Sequence, residues 1–166
     1  ELDENSTQGE AERAKASEHL NRHARLEFNI PGVTFGGRYG DSPIIAHDGA
    51  ALPPDEPNHY VPTASPGGRP PHAWLEDGRS LYDTFHTEWT LLALGETEPA
   101  TDGFTNAARL MDIDLQVVRL PAQPLLALYE APLVLIRPDQ IVAWRGATDE
   151  DGQRVLSLAL GRHPLT

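Results

Sequence analysis

The side chains best suited to chemistry in this sequence are two histidines, His19 and His23, which lie four residues apart. On one face of a helix, this spacing allows two imidazoles to share a metal ion. The chain has no HExxH motif, and its other histidines show no ligand spacing, namely His47, His59, His72, His86 and His163. The sequence therefore favours two solvated histidines on an exposed face over a metal site.

Other motifs for catalysis or cofactor binding are missing from the sequence. The chain contains no cysteine, which excludes thiol nucleophiles, disulfides and CxxC redox chemistry. It has neither a GxSxG nucleophile elbow nor a GxxxxGK[ST] phosphate loop, and no two glycines have the GxG spacing of a dinucleotide fingerprint. The acidic run Asp149-Glu150-Asp151 is best explained as a solvated turn. We predict no catalytic, cofactor-binding or metal-binding residue in this chain.

Charge and hydropathy exclude further classes of function. The formal net charge is −12, whereas binding to a phosphate backbone needs clustered Lys and Arg. No stretch approaches the roughly 20 apolar residues that a membrane span requires. No signal-peptide pattern is visible, so we expect a cytoplasmic protein that binds neither nucleic acid nor membrane. The chain does not begin with Met, which suggests a fragment of a longer protein.

Three segments combine charged and aromatic side chains more densely than the rest of the chain. They are residues 66–75, 77–83 and 133–146. We interpret their polar and aromatic side chains as structural or docking residues, namely Arg69, His72, Trp74, Arg79, Arg137, Asp139, Trp144 and Arg145. The charges would brace loops through hydrogen bonds and ion pairs, each exposed pair contributing about 0–1 kcal/mol. This interpretation is favoured over a catalytic role.

The first 72 residues predict a helix followed by an extended arm. Residues 1–29 suit an exposed helix that Ser6 or Thr7 could cap. Its apolar stripe is narrow, which predicts packing on something larger than itself, and consists of Ala16, Leu20 and Ala24. Residues 33–72 are dense in Pro and Gly, with short strands expected at 33–35 and 43–46. Interleaved aromatic and Ile residues favour an arm that docks on a surface over low-complexity disorder.

Residues 73–166 predict a mixed α/β domain. Strands are expected at 89–94, 115–120, 133–136 and 141–144, and helices at 152–160 and after a capping Asp102. Arg137 to Gln140 predict a tight turn. The order β-α-β, a loop, then β-β-α is thioredoxin-like, with a central sheet of about four strands and a parallel first pair. Such folds commonly place a cis-proline before the third strand, so we predict a cis Ala131-Pro132 bond.

Three stretches of the sequence resemble the C-terminal region of class A flavoprotein monooxygenases. They are RYGDSPII at 38–45, PGGRPPHAWLEDGRSLYDTF at 66–85 and LVLIRPDQIVAWRG at 133–146. The family patterns are PG-x-R-x-PH-x-W-L, DGRSLYDL and LVRPDQHVAWRG. The chain departs from them at Ile141, where His is common, and at Pro132, where Asp is common, which leaves no assigned role for those positions. The family includes phenol, hydroxyphenylpropionate and polyketide aromatic hydroxylases.

The resemblance implies a parent enzyme that hydroxylates an aromatic ring with FAD, NAD(P)H and O2. The family's FAD-binding motifs lie in its earlier domains, so no catalytic residue is carried over to this chain. The C-terminal domain of the family is thioredoxin-like without redox cysteines, packs on the catalytic domains and in some members contributes to a homodimer. We therefore divide the chain at 1–72, a helix plus docking arm, and 73–166, the thioredoxin-like domain.

Three hypotheses follow from the sequence. The leading one is a non-catalytic structural and interaction domain whose partners are the FAD and substrate domains of the parent hydroxylase. The alternative is a stand-alone thioredoxin-like interaction module without redox activity. The least favoured is a chain that binds flavin and hydroxylates by itself. The leading hypothesis predicts that the arm exposes apolar surface.

Overall fold

The computed structural model describes residues 2–121 and 123–162. The chain forms two compact units. The first comprises Glu1–Gly36 and Asp55–Val61, and the second comprises Gly37–Pro54 and Pro62–Thr166.

The first unit is built on a long helix, α1 (Thr7–Phe28), followed by the short helix α2 (Pro31–Phe35). Ser6 caps α1 by accepting a 3.1 Å hydrogen bond from the Gly9 N–H, which confirms one of the two predicted caps. The strand predicted at 33–35 is wrong. Pro31 occupies the first turn of α2, where its fixed φ and missing N–H suit a helix start.

Helix α1 is almost entirely exposed. Gly9 is its one buried residue, and Leu20 of the predicted apolar stripe is 65% exposed. Residues 55–61 return to the end of α1, where the Asn58 amide donates hydrogen bonds to the carbonyls of Arg25, Leu26 and Asn29. The other exposed apolar side chains of this unit include Leu26, Phe28, Val33, Phe35 and Val61. The predicted exposure of apolar side chains in the arm is therefore observed.

The second unit contains a four-stranded sheet with the order β2-β1-β3-β4. Its strands are β1 (Trp89–Leu94), β2 (Leu115–Leu120), β3 (Leu133–Ile136) and β4 (Val142–Gly146). Strands β1 and β2 are parallel, and the other neighbours are antiparallel. The helices are α3 (Asp102–Met111), α4 (Gln123–Tyr129) and α5 (Gly152–Ala159), with a 3-10 helix at Leu81–Thr84. This order confirms the thioredoxin-like α/β fold.

Two core clusters lie on opposite faces of the sheet. The first joins alternate residues of β1 and β3 to α3 and α5, through side chains such as Leu91, Phe104 and Leu156. The second joins the remaining residues of β1 and β3 to α4 and the 3-10 helix, through side chains such as Leu92 and Tyr129. Because both faces are covered, β1 and β3 are buried along their whole length, and their sequences are apolar except for Thr90.

Several predicted details of this unit are wrong. Residues 43–46 form a turn and not a strand, and the loop expected before β3 contains α4. No peptide bond in the described ranges is cis, so the prediction for Ala131-Pro132 is wrong. The trans form is the default for X-Pro bonds. Pro132 directly precedes β3, and its carbonyl accepts a 2.8 Å hydrogen bond from the N–H of Leu94, the last residue of β1.

The start of α3 is stabilised from a distant part of the chain. Asp102, predicted as its cap, is the first helical residue, and Thr101 at the N-cap makes no side-chain hydrogen bond. Instead, the Asp149 carboxylate accepts a 2.7 Å hydrogen bond from the Gly103 N–H. A negative charge at this position also interacts favourably with the helix dipole. Asp149 therefore caps α3, the role that the sequence predicted for Asp102.

Replacing Asp149 with alanine is expected to lower the free energy of unfolding by about 1 kcal/mol, the typical effect of a lost helix cap. Urea unfolding followed by tryptophan fluorescence measures this, because all three tryptophans lie in the second unit. Glu150→Ala is the matched control, since Glu150 is exposed and adjacent. Equal stability of the two variants would show that Asp149 does not cap α3.

Candidate functional site

The segment before the sheet covers the outer edge of β4. The Gly67 N–H donates to the Val142 carbonyl at 2.8 Å, and the Val142 N–H donates to the Gly68 carbonyl at 3.0 Å. The Ala46 N–H donates to the Ala143 carbonyl at 2.8 Å. Gly67 has a φ of +91°, a left-handed conformation that favours glycine. An exposed strand edge invites pairing with other chains, so this cover protects β4.

Residues 73–81 fold back on themselves around the Asp77-Gly78 turn. The Leu75 N–H donates to the Arg79 carbonyl at 2.9 Å, and the Leu81 N–H donates to the Ala73 carbonyl at 3.0 Å. The Arg79 guanidinium contacts the Asp77 carboxylate at 2.7 Å. Hydrogen bonds from the side chain and backbone of Arg79 hold the pKa of Asp77 below its ordinary value. Arg79 therefore braces an exposed turn.

An aromatic cluster lies beside this turn. The His72 ring contacts Trp74 and Tyr82 edge-on, with centroids 4.9 and 5.3 Å away, and its Nε2 lies 2.9 Å from the Ser80 Oγ. The Arg69 guanidinium lies over the Tyr82 ring at 5.3 Å. Trp74 is 73% exposed although its backbone forms a bridge with Ser80. The structure thus brings Arg69, His72 and Trp74 together, with Trp74 on the surface.

The turn between β3 and β4 carries two more candidates. The Arg137 Nε and Nη2 donate to the two carboxylate oxygens of Asp139 at 3.1 and 2.9 Å. The Arg137 guanidinium also lies 5.8 Å from the centre of the Tyr39 ring. The Gln140 N–H donates to the Arg137 carbonyl at 2.9 Å, which confirms the predicted tight turn. This fork-shaped pair fixes the tip of the hairpin.

Only 9% of the Arg145 side chain is exposed, less than for Arg79, Arg137 or Asp139. Its Nε donates to the Asp48 Oδ2 at 2.6 Å, and its Nη1 donates to the Glu130 Oε2 at 2.8 Å and to the Tyr129 carbonyl at 3.2 Å. The side chain therefore ties β4 to the end of α4 and to the segment that contains Asp48. No sequence pattern indicated these partners, because Asp48 lies 97 residues from Arg145.

The charges of this cluster perturb each other's pKa values. Burial raises the pKa of Asp48, but the hydrogen bonds from Arg145 and the Ala50 N–H, with the charge of Arg145, outweigh it. The pKa of Asp48 therefore lies below its ordinary value. Burial alone would lower the pKa of Arg145. Its hydrogen bonds to Asp48 and Glu130 outweigh the effect of burial, so the pKa of Arg145 lies above its ordinary value. Both groups are held in their charged forms.

Trp144 lies in the core. It is 9% exposed, and its ring packs against Phe104 with a centroid separation of 5.0 Å. Tyr129 was not among the residues predicted from the sequence to be important. It is fully buried and donates a 2.8 Å hydrogen bond to the Pro71 carbonyl. Trp144 and Tyr129 therefore stabilise opposite faces of the sheet.

The start of α3 does not suit the phosphates of a dinucleotide such as FAD. A pyrophosphate needs available N–H donors at a helix N-terminus. In α3, the Gly103 N–H is already bonded to the Asp149 carboxylate, and the preceding connection carries Glu96 and Glu98. These negative charges disfavour a phosphate group. Across residues 2–121 and 123–162, no group of three or more His, Asp or Glu side chains could hold a metal ion.

None of the helices formed by the described residues combines the length and the apolar character needed to cross a membrane.

Known proteins similar to this chain are monooxygenases and hydroxylases, some of them FAD-dependent. The FAD-dependent monooxygenase apdD of Emericella nidulans is 32% identical over an alignment of 167 positions that covers 95% of this chain and 27% of that protein. Phenol 2-monooxygenase of a Pseudomonas species (strain EST1001) is 31% identical over an alignment of 160 positions that covers 86% of this chain and 26% of that protein. The chain thus spans about a third or less of the curated relatives that it matches.

Solved structures show the same relationship. A structure of RebC-10x, native and bound to K252c, superposes with a TM-score of 0.81 at 35% identity, covering 98% of this chain and 31% of that chain. The flavin-dependent monooxygenase PieE, in complex with FAD and substrate, gives a TM-score of 0.73 at 30% identity, with 98% and 31% covered. The family model of the C-terminal region of aromatic-ring hydroxylases matches residues 63–163. This chain therefore belongs to the aromatic-ring hydroxylase family and represents its C-terminal domain.

Proposed function

We propose that this chain is the non-catalytic C-terminal domain of an FAD-dependent monooxygenase that hydroxylates an aromatic substrate with NAD(P)H and O2. The observation that carries the proposal is the match of nearly the whole chain to about a third of flavin monooxygenases. FAD and substrate would bind to the remaining two thirds of such a parent. A homodimer and a cytoplasmic location are further parts of this proposal, supported by the family resemblance alone.

The role proposed for this domain is to dock on the FAD and substrate domains of the parent. Its two units offer separate surfaces for that role. In the first unit, α1 and α2 expose Leu26, Phe28 and Val33, and in the second unit the rigidly held hairpin presents Trp74. Tryptophan is enriched among residues that dominate interface energies. We propose Trp74 as a docking residue, while Arg69, Arg79, Arg137, Asp139 and Arg145 brace the loops.

Oxidative footprinting tests this docking, because the three tryptophans of the chain serve as probe and internal controls. In the isolated chain, hydroxyl radicals should oxidise Trp74 rapidly, whereas Trp89 and Trp144 should react slowly because they are 8% and 9% exposed. In the protein encoded by the complete reading frame, we expect the oxidation of Trp74 to slow towards the rates of Trp89 and Trp144, because hot-spot side chains lie in fully desolvated pockets. Peptide mass spectrometry measures the three rates.

Equal oxidation of Trp74 in the isolated chain and in the parent would contradict its docking role. Unchanged rates at Trp89 and Trp144 show that the fold is the same in both samples. The proposed function itself has a separate test, the absorption spectrum. The isolated chain should be colourless and the parent yellow from bound FAD, and a chain that retained stoichiometric flavin would overturn the proposal.

The second candidate function is a stand-alone thioredoxin-like interaction module. The compact sheet-containing unit favours it, because β1 and β3 are buried on both faces by elements of that unit itself. A reading frame that encodes no GxGxxG fingerprint upstream would support this alternative over the leading proposal. A reading frame that encodes the fingerprint would exclude it.

A further inference from the structure

The exposed face of α1 carries two histidines whose rings already lie side by side. The rings of His19 and His23 are tilted by only 4° from parallel, and their centroids are 6.3 Å apart. Both residues are exposed. The sequence alone favours two solvated histidines, but from these parallel, exposed rings we propose that His19 and His23 form a two-imidazole binding site for a late first-row divalent transition metal, with Cu2+ bound most tightly.

The helix places the two imidazoles within reach of one ion. Residues four apart on a helix are neighbours, with Cβ atoms about 5–6 Å apart. A metal bound at 2.0–2.1 Å by two nitrogens in adjacent positions requires those nitrogens to lie about 3 Å apart. The rings must therefore tilt towards each other from their present separation. Exposure leaves room for this rotation, and neither ring forms a hydrogen bond or ion pair with another described residue.

The ligand set decides which metal the site prefers. The part of the chain that the structure describes supplies no third His, Asp or Glu side chain to the pair, so water would complete the coordination. Structural zinc sites usually have four protein ligands, which makes Zn2+ a weak occupant here. Cu2+ accepts a tetragonal arrangement of nitrogen and oxygen ligands and binds most tightly in the Irving–Williams order. The expected order of affinity is therefore Cu2+ above Ni2+ and Zn2+.

Metal binding would stabilise the part of α1 that lacks packing. Of the helix residues, only Gly9 is buried, so the turn between His19 and His23 depends on local interactions. Most helical stability in proteins comes from packing of an apolar face, and α1 buries little surface. An ion that binds both imidazoles favours the helical form, because the extended chain separates them. The site would therefore couple metal binding to the order of α1.

Calorimetric titration of the tag-free chain with CuCl2, in a buffer that does not chelate copper, tests the site. We expect one ion to bind with at least 10-fold higher affinity than in His23→Gln. The matched control is Asn21→His combined with His23→Gln, which keeps the number of histidines on α1 but spaces them two apart. Residues two apart do not face each other on a helix, so this variant should bind like His23→Gln. Ni2+ and Zn2+ should bind more weakly than Cu2+.

Hydrogen exchange gives a second readout that binding elsewhere in the chain would not change. At 100-fold excess of Cu2+ over the dissociation constant, amide exchange within residues 19–27 should slow by up to about 100-fold in the wild-type chain. The relocated-histidine variant should show no such protection. Equal affinity in these two proteins, or protection of α1 in both, would overturn the proposal, since either result removes the dependence on the spacing of His19 and His23.

Discussion

Gly152→Ala is expected to lower the free energy of unfolding of the sheet-containing unit by about 3 kcal/mol, a large effect for one added methyl group. A Cβ at Gly152 would lie 2.6 Å from the Gly103 carbonyl carbon and 2.7 Å from the Phe104 nitrogen. These atoms belong to the backbone at the start of α3, so they cannot rotate away. The first turns of α3 and α5 would have to separate.

The direction of this effect distinguishes steric crowding from backbone flexibility. Gly→Ala in a helix usually stabilises, because glycine has about 1 kcal/mol less helix propensity than alanine. Gly152 lies in the first turn of α5 and has no positive φ, so alanine could adopt its conformation. Any loss of stability must then come from the contact with α3. A neutral or stabilised Gly152→Ala variant would show that the two helix starts do not touch as described.

Gly37→Ala is the matched control for Gly152→Ala. A Cβ at Gly37 would meet no atom within 4 Å, and this residue also lacks a positive φ. Alanine there should leave stability unchanged or raise it by about 0.4–1 kcal/mol, since it restricts the unfolded chain. Urea unfolding followed by tryptophan fluorescence compares both variants, because the three tryptophans report on the second unit.

The strands and their order could be predicted from the sequence because local pattern determines them. Strands β1 and β3 are short apolar runs, and their burial on both faces is what such runs indicate. The tight turn at Arg137 to Gln140 follows from Pro138 at its second position. Helix α4 was not predicted, because it has only seven residues and contains Pro124. So short a segment does not show the apolar periodicity of a helix. Its existence depends on burial of Leu125 and Tyr129.

The contacts of Asp149 and Arg145 could not be predicted, because they join distant parts of the chain, unlike the local pairs Arg79–Asp77 and Arg137–Asp139. Asp149 stabilises the start of α3 from 46 residues away, where the sequence offered the adjacent Asp102. Trp74 and Trp144 occur in equally distinctive motifs, yet one is 73% exposed and the other 9%. Exposure depends on which elements pack on each segment, and that information is tertiary. The family resemblance identified the segments but not these differences.

Arg145→Met should lower the free energy of unfolding by about 3 kcal/mol at neutral pH, the lower end of the range for breaking a buried ion pair. The substitution keeps an apolar side chain of similar length but leaves the Asp48 carboxylate, 25% exposed, without its cation. It also removes a donor from the Tyr129 carbonyl. The partial exposure of Asp48 lets water compensate in part, which is why the upper end of the range is not expected.

Arg154→Met is the control for Arg145→Met, because Arg154 forms an ion pair of similar length, 2.9 Å to Asp151, with both side chains more than 60% exposed. Exposed pairs contribute about 0–1 kcal/mol, so this variant should unfold almost like the wild type. Equal losses of unfolding free energy in the two variants would show that the burial of Arg145 does not strengthen its ion pairs. Denaturant unfolding at neutral pH provides the comparison.

The pH dependence of stability separates the Asp48–Arg145 pair from simple loss of packing at Arg145. The pKa of Asp48 is lowered in the folded chain, so the pair stabilises the fold above the unfolded value of about 3.9. That stability is lost as the pH falls through the lower folded value, because the unfolded carboxylate takes up its proton first. Between about pH 5 and pH 3, the stability of the wild-type chain should therefore decline more steeply than that of Arg145→Met, and the difference between them should shrink. A difference that stayed constant over this range would assign the effect of Arg145 to packing of its aliphatic stem and not to its charge.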